Sequence, residues 1–189
     1  MKKILTGLII STAFTFNLHA FEVDKEKSSL SWKGTKINGE HYGNLKFKEA
    51  KASVKDGKLV GGEFVVDMNS ITVTDLKGEW KDKFLGHIKS GDFFQVEKYP
   101  VSKLVINSVK GNKVNATLTV KDKSGPVSFD YKKEGKAFVG DFKFDRTKFG
   151  MIYKSGNFFK DLGDKIIHDD VLVNFKLVPK EQLVPQKKK

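Results

Sequence analysis

Short runs in which apolar and polar residues alternate, separated by glycine-containing turns, occupy most of this sequence. Between 114 and 121 every second residue is apolar, and Phe142 and Phe144 alternate with Asp141, Lys143 and Asp145. Successive side chains of a β-strand point to opposite faces, so each run gives a strand with one apolar and one polar face. The pattern therefore predicts an all-β protein whose apolar faces are rich in phenylalanine and valine.

Eight such runs are predicted to be strands. They lie at 28–36, 41–52, 58–71, 102–110, 112–121, 125–133, 136–146 and 166–178. Turn signals such as Asp56-Gly57 and Gly111-Asn112 separate them, as in antiparallel hairpins. Eight antiparallel strands are enough to close a barrel, and closure removes unpaired edges. A barrel of this size is either filled by its own side chains or holds one small ligand, and the pattern leaves both alternatives open.

The segment 75–90 departs from this pattern, because its apolar residues recur every four positions. They are Leu76, Trp80, Phe84 and Ile88, with Leu85 beside them. This spacing predicts a short helical insert that begins at Thr74 or Asp75 as the N-cap. Gly78 and Gly86 leave two short helical turns open as an alternative to one helix. We expect the insert either to pack over one barrel end or to dock on a membrane, where nearby lysines would meet anionic head groups.

The first 20 residues have the form of an export signal. Lys2 and Lys3 precede a mostly apolar stretch, and Ala20 provides the small residue of a cleavage site. Polar residues interrupt this stretch too early for a spanning helix. We therefore expect cleavage after Ala20, a periplasmic or secreted mature protein, one barrel domain over 21–178, and a basic disordered tail at 179–189.

Composition excludes several classes of function. The chain has no cysteine, which rules out disulfides, thiol catalysis and thiolate metal sites. The net charge of +12 favours contact with anionic membrane surfaces. The lysines are scattered along the polar faces of the predicted strands, which is typical of a solvated sheet surface, and export also argues against nucleic acid as a partner.

No motif indicates catalysis or metal binding. The histidines that follow the predicted signal are His41, His87 and His168, and their spacing matches no zinc motif. The chain lacks the G-x-S-x-G pattern of hydrolases. Asp145-Arg146 is interpreted as structural, because a partly buried arginine needs a carboxylate or carbonyl partner. We therefore expect a protein that is not an enzyme and that has no metal and no cofactor.

Several longer motifs, taken in their order along the chain, resemble the YceI-like family. They include Trp32-Lys33-Gly34-Thr35-Lys36, His41-Tyr42-Gly43, Lys83-Phe84-Leu85-Gly86-His87-Ile88, Phe144-Asp145-Arg146-Thr147-Lys148-Phe149-Gly150 and Ile167-His168-Asp169-Asp170. The resemblance covers nearly all of the chain after the predicted signal. It implies a lipocalin-like barrel, often dimeric, with a long hydrophobic cavity. It also implies binding of a polyisoprenoid, an isoprenoid quinone or a related fatty amphiphile in the bacterial envelope.

The expected ligand-binding residues are apolar, and most lie in phase on the predicted strands. They are Trp32, Phe47, Phe64, Val66, Met68, Leu104, Ile106, Leu118, Phe129, Phe142, Phe144, Val173 and Phe175. The face assignment is weakest at Val65 and Val66, where two apolar residues are adjacent. Arg146, His87 and Tyr153 are expected to hold the head group.

Two other functions stay open at this point. One is an enzyme or redox helper that acts on an isoprenoid quinone, although the sequence offers no clear titrating or redox-active group for it. The other is a basic stress-response or adhesion protein of the cell envelope, whose surface does the work. The pairs Phe93-Phe94 and Phe158-Phe159 are each expected to point one ring outward, at the cavity rim or at a homodimer contact.

Overall fold

The structure is a computed structural model, and it describes residues 18–180. In that range the chain forms nine strands and one α-helix, α1, at Gly78–Lys89. The strands are β1 Leu18–Glu22, β2 Ser29–Lys36, β3 Gly39–Lys55, β4 Lys58–Asp67, β5 Val101–Lys110, β6 Lys113–Val120, β7 Lys123–Glu134, β8 Ala137–Asp145 and β9 Ile167–Leu177. Short 3-10 turns lie at Met68–Ser70, Arg146–Phe149 and Gly163–Lys165.

Strands β2 to β9 close into an antiparallel barrel. Their order is β3-β2-β9-β8-β7-β6-β5-β4, and β4 pairs again with β3. The long β3 closes the barrel because its two halves have different partners. Residues 39–45 pair with β2 and residues 46–55 pair with β4. The predicted eight-stranded barrel is confirmed, and each predicted strand corresponds to an observed one.

The strand β1 is an addition that the sequence analysis did not predict. It pairs with the last residues of β3, and Phe21 lies opposite Ala52. Cleavage after Ala20 would remove its first three residues and keep Phe21, whose ring stacks on Phe138 at 6.1 Å. The rest of the predicted signal lies outside the described residues, as does most of the predicted tail. Within that tail, Pro179 forms an antiparallel bridge with Val23.

The two ends of the barrel differ in construction. At one end, the closed end, the hairpin turns at 56–57, 111–112 and 135–136 join the strands. At the other end, the mouth end, the long connections 68–100 and 146–166 cross over the strands. Buried side chains pack against one another in the interior of the closed end. The buried residues there include Leu59, Val114, Tyr131, Phe138 and Leu177.

The predicted insert is a single helix that lies over the mouth end, so Gly78 and Gly86 do not divide it. Phe84 and Ile88 pack against Trp32 in a small second core. Trp80 does not join this packing, and its exposed fraction is 72%. The apolar spacing continues one turn beyond the part of the helix that the barrel covers, and Trp80 lies on that turn. In the described part of the chain, no helix has both the length and the hydropathy to cross a membrane.

The predicted N-cap was wrong. The helix begins at Gly78 after Lys77, which makes no side-chain capping bond. Thr74 and Asp75 bind β3 instead, because the Thr74 hydroxyl donates to the Tyr42 carbonyl and the Tyr42 N–H donates to the Asp75 carboxylate. These contacts hold the segment before the helix along β3.

Candidate ligand-binding cavity

An apolar cavity of about 570 Å³ occupies the barrel interior between the closed end and the mouth end. This volume lies in the range of small-molecule sites, roughly 300–1,000 Å³. Every barrel strand contributes at least one apolar side chain to its wall. Examples, from β2 to β9, are Trp32, Phe47, Phe64, Leu104, Leu118, Phe129, Phe142 and Val173.

The structure places every residue of the sequence-predicted site on the wall of this cavity, both the thirteen apolar residues and Arg146, His87 and Tyr153. In the uncertain part of β4, Val66 lines the cavity, whereas Val65 pairs with Lys103 and is absent from the wall. Contact of these residues with a ligand stays a prediction.

Aromatic rings give the middle of the cavity its shape. Phe129 stacks on Phe142 with ring centroids 5.4 Å apart, and its edge meets Phe175 at 5.5 Å. Such ring pairs favour fixed offset or edge-to-face arrangements, so the wall has a defined bore. The buried Ser102 hydroxyl, also on the wall, has no hydrogen-bond partner among the described residues.

Trp32 of β2 attaches the connection 68–100 to the barrel at the mouth end. Its indole N–H donates to the Thr72 carbonyl at 3.0 Å, and its ring lies parallel to Phe84 of α1 at 6.1 Å. The backbone of Thr72 approaches β3 closely at Gly43, where an added Cβ would lie 1.9 Å from the Thr72 oxygen. Only glycine, which has no Cβ, permits this approach. The connection 68–100 can therefore lie directly against β3.

Arg146 is buried to a degree that its predicted head-group role did not anticipate, since its exposed fraction is 2%. Its guanidinium donates to the carbonyls of Met151, Ile167 and His168, the last two at 2.9 and 3.1 Å. It also lies 3.1 Å from the Asp169 carboxylate. Burial lowers the pKa of Arg146, and this carboxylate opposes that shift. The side chain anchors the connection 146–166 to β9.

Arg146 has both carbonyl and carboxylate partners, which agrees with its interpretation as structural. Its ion-pair partner is Asp169, not the adjacent Asp145. The Asp145 carboxylate instead accepts hydrogen bonds from the N–H and hydroxyl of Thr147 at 2.9 and 2.6 Å. Adjacent residues at a strand end point in different directions, so sequence neighbours seldom pair there.

His87 and Tyr153 lie together on the rim of the cavity. Their rings meet edge to face at 4.7 Å, and Phe93 contacts both of them. The His87 Nε2 atom lies 3.0 Å from the carboxylate of Asp92. This rim joins the helix to the connection 146–166.

The architecture corresponds to a known family. The family model of the YceI-like domain matches residues 21–178. This chain belongs to the YceI-like family. A UPF0312 protein of Pseudomonas putida is 30% identical to it over 150 residues, which cover 72% of this chain and 76% of that protein.

Two solved structures share the fold of this YceI-like protein. BcnA of Burkholderia cenocepacia superposes with a TM-score of 0.64 at 24% identity, covering 84% of this chain and 99% of BcnA. A polyisoprenoid-binding domain from Saccharophagus degradans, implicated in plant cell wall breakdown, gives a TM-score of 0.55 at 14% identity. That match covers 83% of this chain and 95% of the domain. At these identities the two structures establish the fold alone.

Three lysines on the cavity mouth of this YceI-like protein were missed by the sequence analysis. Lys36, Lys154 and Lys165, here called the lysine rim, all line the cavity. Lys36 lies opposite Ile167 in the β2–β9 pairing, and the Ile167 N–H donates to the Lys154 carbonyl at 2.9 Å. Lysine and arginine make up 35 of the 189 residues. Nothing in local spacing separates these three from the others.

The three histidines lie in different surroundings. His41 is 2.7 Å from Asp75, His87 contacts Asp92, and the His168 ring is 2.8 Å from the Thr35 hydroxyl. Over residues 18–180, no group of three or more His, Cys, Asp or Glu side chains is placed to hold a metal ion.

Large apolar side chains are exposed mainly at the mouth end of this YceI-like domain. At that end they are Ile37, Tyr42, Trp80, Val101, Ile152, Phe158 and Phe159. The two phenylalanine pairs differ, and in neither does only one ring point outward. Phe93 and Phe94 both line the cavity, whereas Phe158 and Phe159 are both exposed.

Proposed function

We propose that this protein binds a long apolar chain, such as a polyisoprenoid or a similar amphiphile, inside its barrel and carries or stores it. The observation that supports this is the cavity of about 570 Å³ with apolar side chains from all eight barrel strands. Each methylene that leaves water contributes about 0.8 kcal/mol. Apolar contact needs no directional bonds, so bore and length select the chain. The polyisoprenoid-binding domain of Saccharophagus degradans has the same fold, which supports this choice of cargo.

Binding is favoured over catalysis because Arg146 and His87, two charged or titratable side chains on the cavity wall, are already held by other groups of the protein. Arg146 is engaged by backbone carbonyls and Asp169, and His87 is engaged by Asp92. Turnover of an added isoprenoid quinone by the purified protein would support the enzyme hypothesis instead. A cavity that takes up no apolar chain would support the envelope adhesion hypothesis.

Two neighbouring residues of β8, one on its inner face and one on its outer face, provide a test of chain binding in the cavity. Phe142 faces the cavity, and its neighbour Lys143 is exposed on the outer face. Phe142→Trp narrows the bore and is expected to shorten or abolish the bound chain, whereas Lys143→Ala leaves it unchanged. The measurement is mass spectrometry of lipid extracted from the purified wild type and both variants. If none of these proteins carries or takes up an apolar chain, the carrier function is wrong.

We also propose that the mature protein works in the periplasm or outside the cell. The support is the segment 1–20, with its basic start, apolar stretch and Ala20. Intact mass of the protein from an envelope or culture fraction is expected to begin at Phe21. A soluble cytosolic pool that retains Met1 would contradict export.

Cargo exchange is proposed to occur at an anionic membrane that meets the mouth end. The exposed Trp80 and Phe158 lie at this end beside basic residues such as Lys83 and Lys160, a combination that suits the interface of anionic bilayers. Trp80→Ser with Phe158→Ser is expected to reduce co-sedimentation with vesicles that contain phosphatidylglycerol. Val60→Ser, an exposed apolar position near the closed end, serves as the control.

The alternative is that a second copy of this chain, rather than a membrane, covers the exposed Trp80 and Phe158 in a homodimer. Light scattering of the purified protein distinguishes the two. A monomer that binds anionic vesicles supports membrane contact. A stable dimer that Trp80→Ser with Phe158→Ser dissociates, without vesicle binding by the wild type, overturns it.

A further inference from the structure

The lysine rim brings three cationic side chains to one side of the mouth. Ile37, next to Lys36, donates its N–H to the Ile166 carbonyl at 3.2 Å, which ties the β2–β3 hairpin to the residue after Lys165. The backbone of Ile167 then pairs with Lys36 and donates to the Lys154 carbonyl. The three lysines therefore surround one short stretch of backbone at the point where β9 begins.

The charge of the rim is not neutralised within the fold. Other cations on the cavity wall have carboxylate partners, as Arg146 has Asp169 and Lys103 has Glu63 at 2.8 Å. Among the described residues, no carboxylate forms an ion pair with any of the three rim lysines. The acidic residue on the cavity wall is Asp164, which accepts a long hydrogen bond from Asn38 at 3.5 Å. Three lysines and one carboxylate therefore line this part of the cavity wall.

We propose that the lysine rim binds an anionic head group, so that the preferred cargo is an anionic amphiphile rather than a neutral alcohol or quinone. The inference rests on the proposed function, because the rim adds a head-group site to the apolar cavity. A chain that enters the cavity leaves its polar end at the mouth, where the lysines lie. Phosphate and carboxylate are the anions that ammonium groups bind in this way.

The rim also explains why head-group binding does not require Arg146. The guanidinium of Arg146 is committed to the carbonyls of Met151, Ile167 and His168 and to Asp169. The rim lysines are more exposed than Arg146. The Lys154 ammonium lies over the Tyr153 ring at 5.3 Å. Specificity for anionic cargo is therefore assigned to the ammonium groups of the lysine rim, whereas Arg146 anchors the connection 146–166.

The test compares two pairs of chains that differ only at the head. Farnesyl phosphate is compared with farnesol, and palmitate with hexadecanol, by displacement of a fluorescent apolar probe from delipidated protein without vesicles. We expect each acid to bind about tenfold more tightly than its alcohol at low ionic strength, since three partly exposed charge pairs each contribute modestly. The preference is expected to shrink as salt is added.

The matched variants carry the same change in net charge. Lys36→Ser/Lys154→Ser/Lys165→Ser is expected to abolish the preference for each acid over its alcohol. The control, Lys132→Ser/Lys143→Ser/Lys176→Ser, removes three exposed lysines from the outer faces of β7, β8 and β9 and is expected to keep the preference.

The outcomes separate this inference from the carrier function. If acid and alcohol bind equally tightly, the cavity binds chains but the head-group site is wrong. Loss of the preference in both triple variants would show that net charge, not the rim, is responsible, and would also overturn it. If neither acids nor alcohols bind, the carrier function fails as well. A preference for only one of the two acids supports the rim and identifies the anion that it fits.

Discussion

The closed end and the mouth end of this barrel are built from the same strands but differ in their connections and in how their interiors are filled. The closed end has short turns and an interior of buried side chains such as Val114 and Phe138. The mouth end has two long connections, a helix, exposed apolar side chains and the lysine rim. Regular hairpins leave little room for variation, whereas irregular connections on a rigid frame can carry binding groups. Stability is therefore expected to reside mainly in the closed end and selection of the head group in the mouth end.

Strand β8 crosses from one region into the other and allows a matched comparison. Phe138 is 3% exposed and packs between Phe21 and Tyr131 at the closed end. Phe142, four residues further along the strand, is 8% exposed and borders the cavity. Both rings face inward on the same strand, but only Phe138 has protein on all sides.

The largest expected effect is the loss of stability in Phe138→Ala. Phe→Ala in a packed core costs roughly 3–5 kcal/mol, because the removed ring leaves a cavity. Phe142→Ala is expected to cost at least about 1 kcal/mol less, since space already borders its ring. Urea denaturation of delipidated protein measures both, so that bound cargo does not stabilise the folded state. Equal costs at the two positions would mean that the barrel interior is packed throughout.

The second effect concerns the mouth end, where Arg146 is the only arginine of the chain. Arg146→Met is expected to reduce the free energy of unfolding by about 3 kcal/mol, because Asp169 is left partly buried without its cation. Asp169→Asn in the same background is expected to restore part of the loss. Chemical denaturation gives the energies, and limited proteolysis shows whether cleavage begins in the connection 146–166. Cleavage that begins in the hairpins of the closed end would contradict this anchoring role.

The regions also differ in how far sequence predicts them. Alternation predicted the barrel strands and their inward residues, because a position such as Phe142 is set by its immediate neighbours. The mouth end depends on contacts between distant segments. Asp75 binds His41, which is 34 residues away in the sequence. The prediction that Asp75 or Thr74 caps the helix considered only local contacts and was therefore wrong. The lysine rim forms only when β9 pairs with β2, which no local pattern encodes.

Asp75 gives the smallest predicted effect and the one that depends on pH. Its carboxylate accepts the Tyr42 N–H at 3.0 Å and lies 2.7 Å from the His41 Nδ1 atom, which ties the segment before α1 to β3. Burial raises the pKa of Asp75, but these two hydrogen bonds, together with the backbone N–H of Asp75 itself and the charge interaction with His41, outweigh burial and leave the pKa below its ordinary value of 3.8. The folded protein therefore favours the charged carboxylate.

A lowered pKa in the folded state means that the stabilisation by Asp75 is fully present above about pH 4 and is lost as the pH falls through the lowered value. Asp75→Asn is expected to cost about 1–2 kcal/mol at pH 7, because the amide keeps the shape but weakens both hydrogen bonds. The difference from the wild type is expected to narrow between pH 4 and pH 2, as measured by urea denaturation across that range. Asp82→Asn, on the exposed side of α1, removes the same charge without these contacts and is expected to change stability by less than about 0.5 kcal/mol. An Asp75→Asn cost that stays constant down to pH 2 would show that shape, and not the charge of the carboxylate, holds the mouth end to β3.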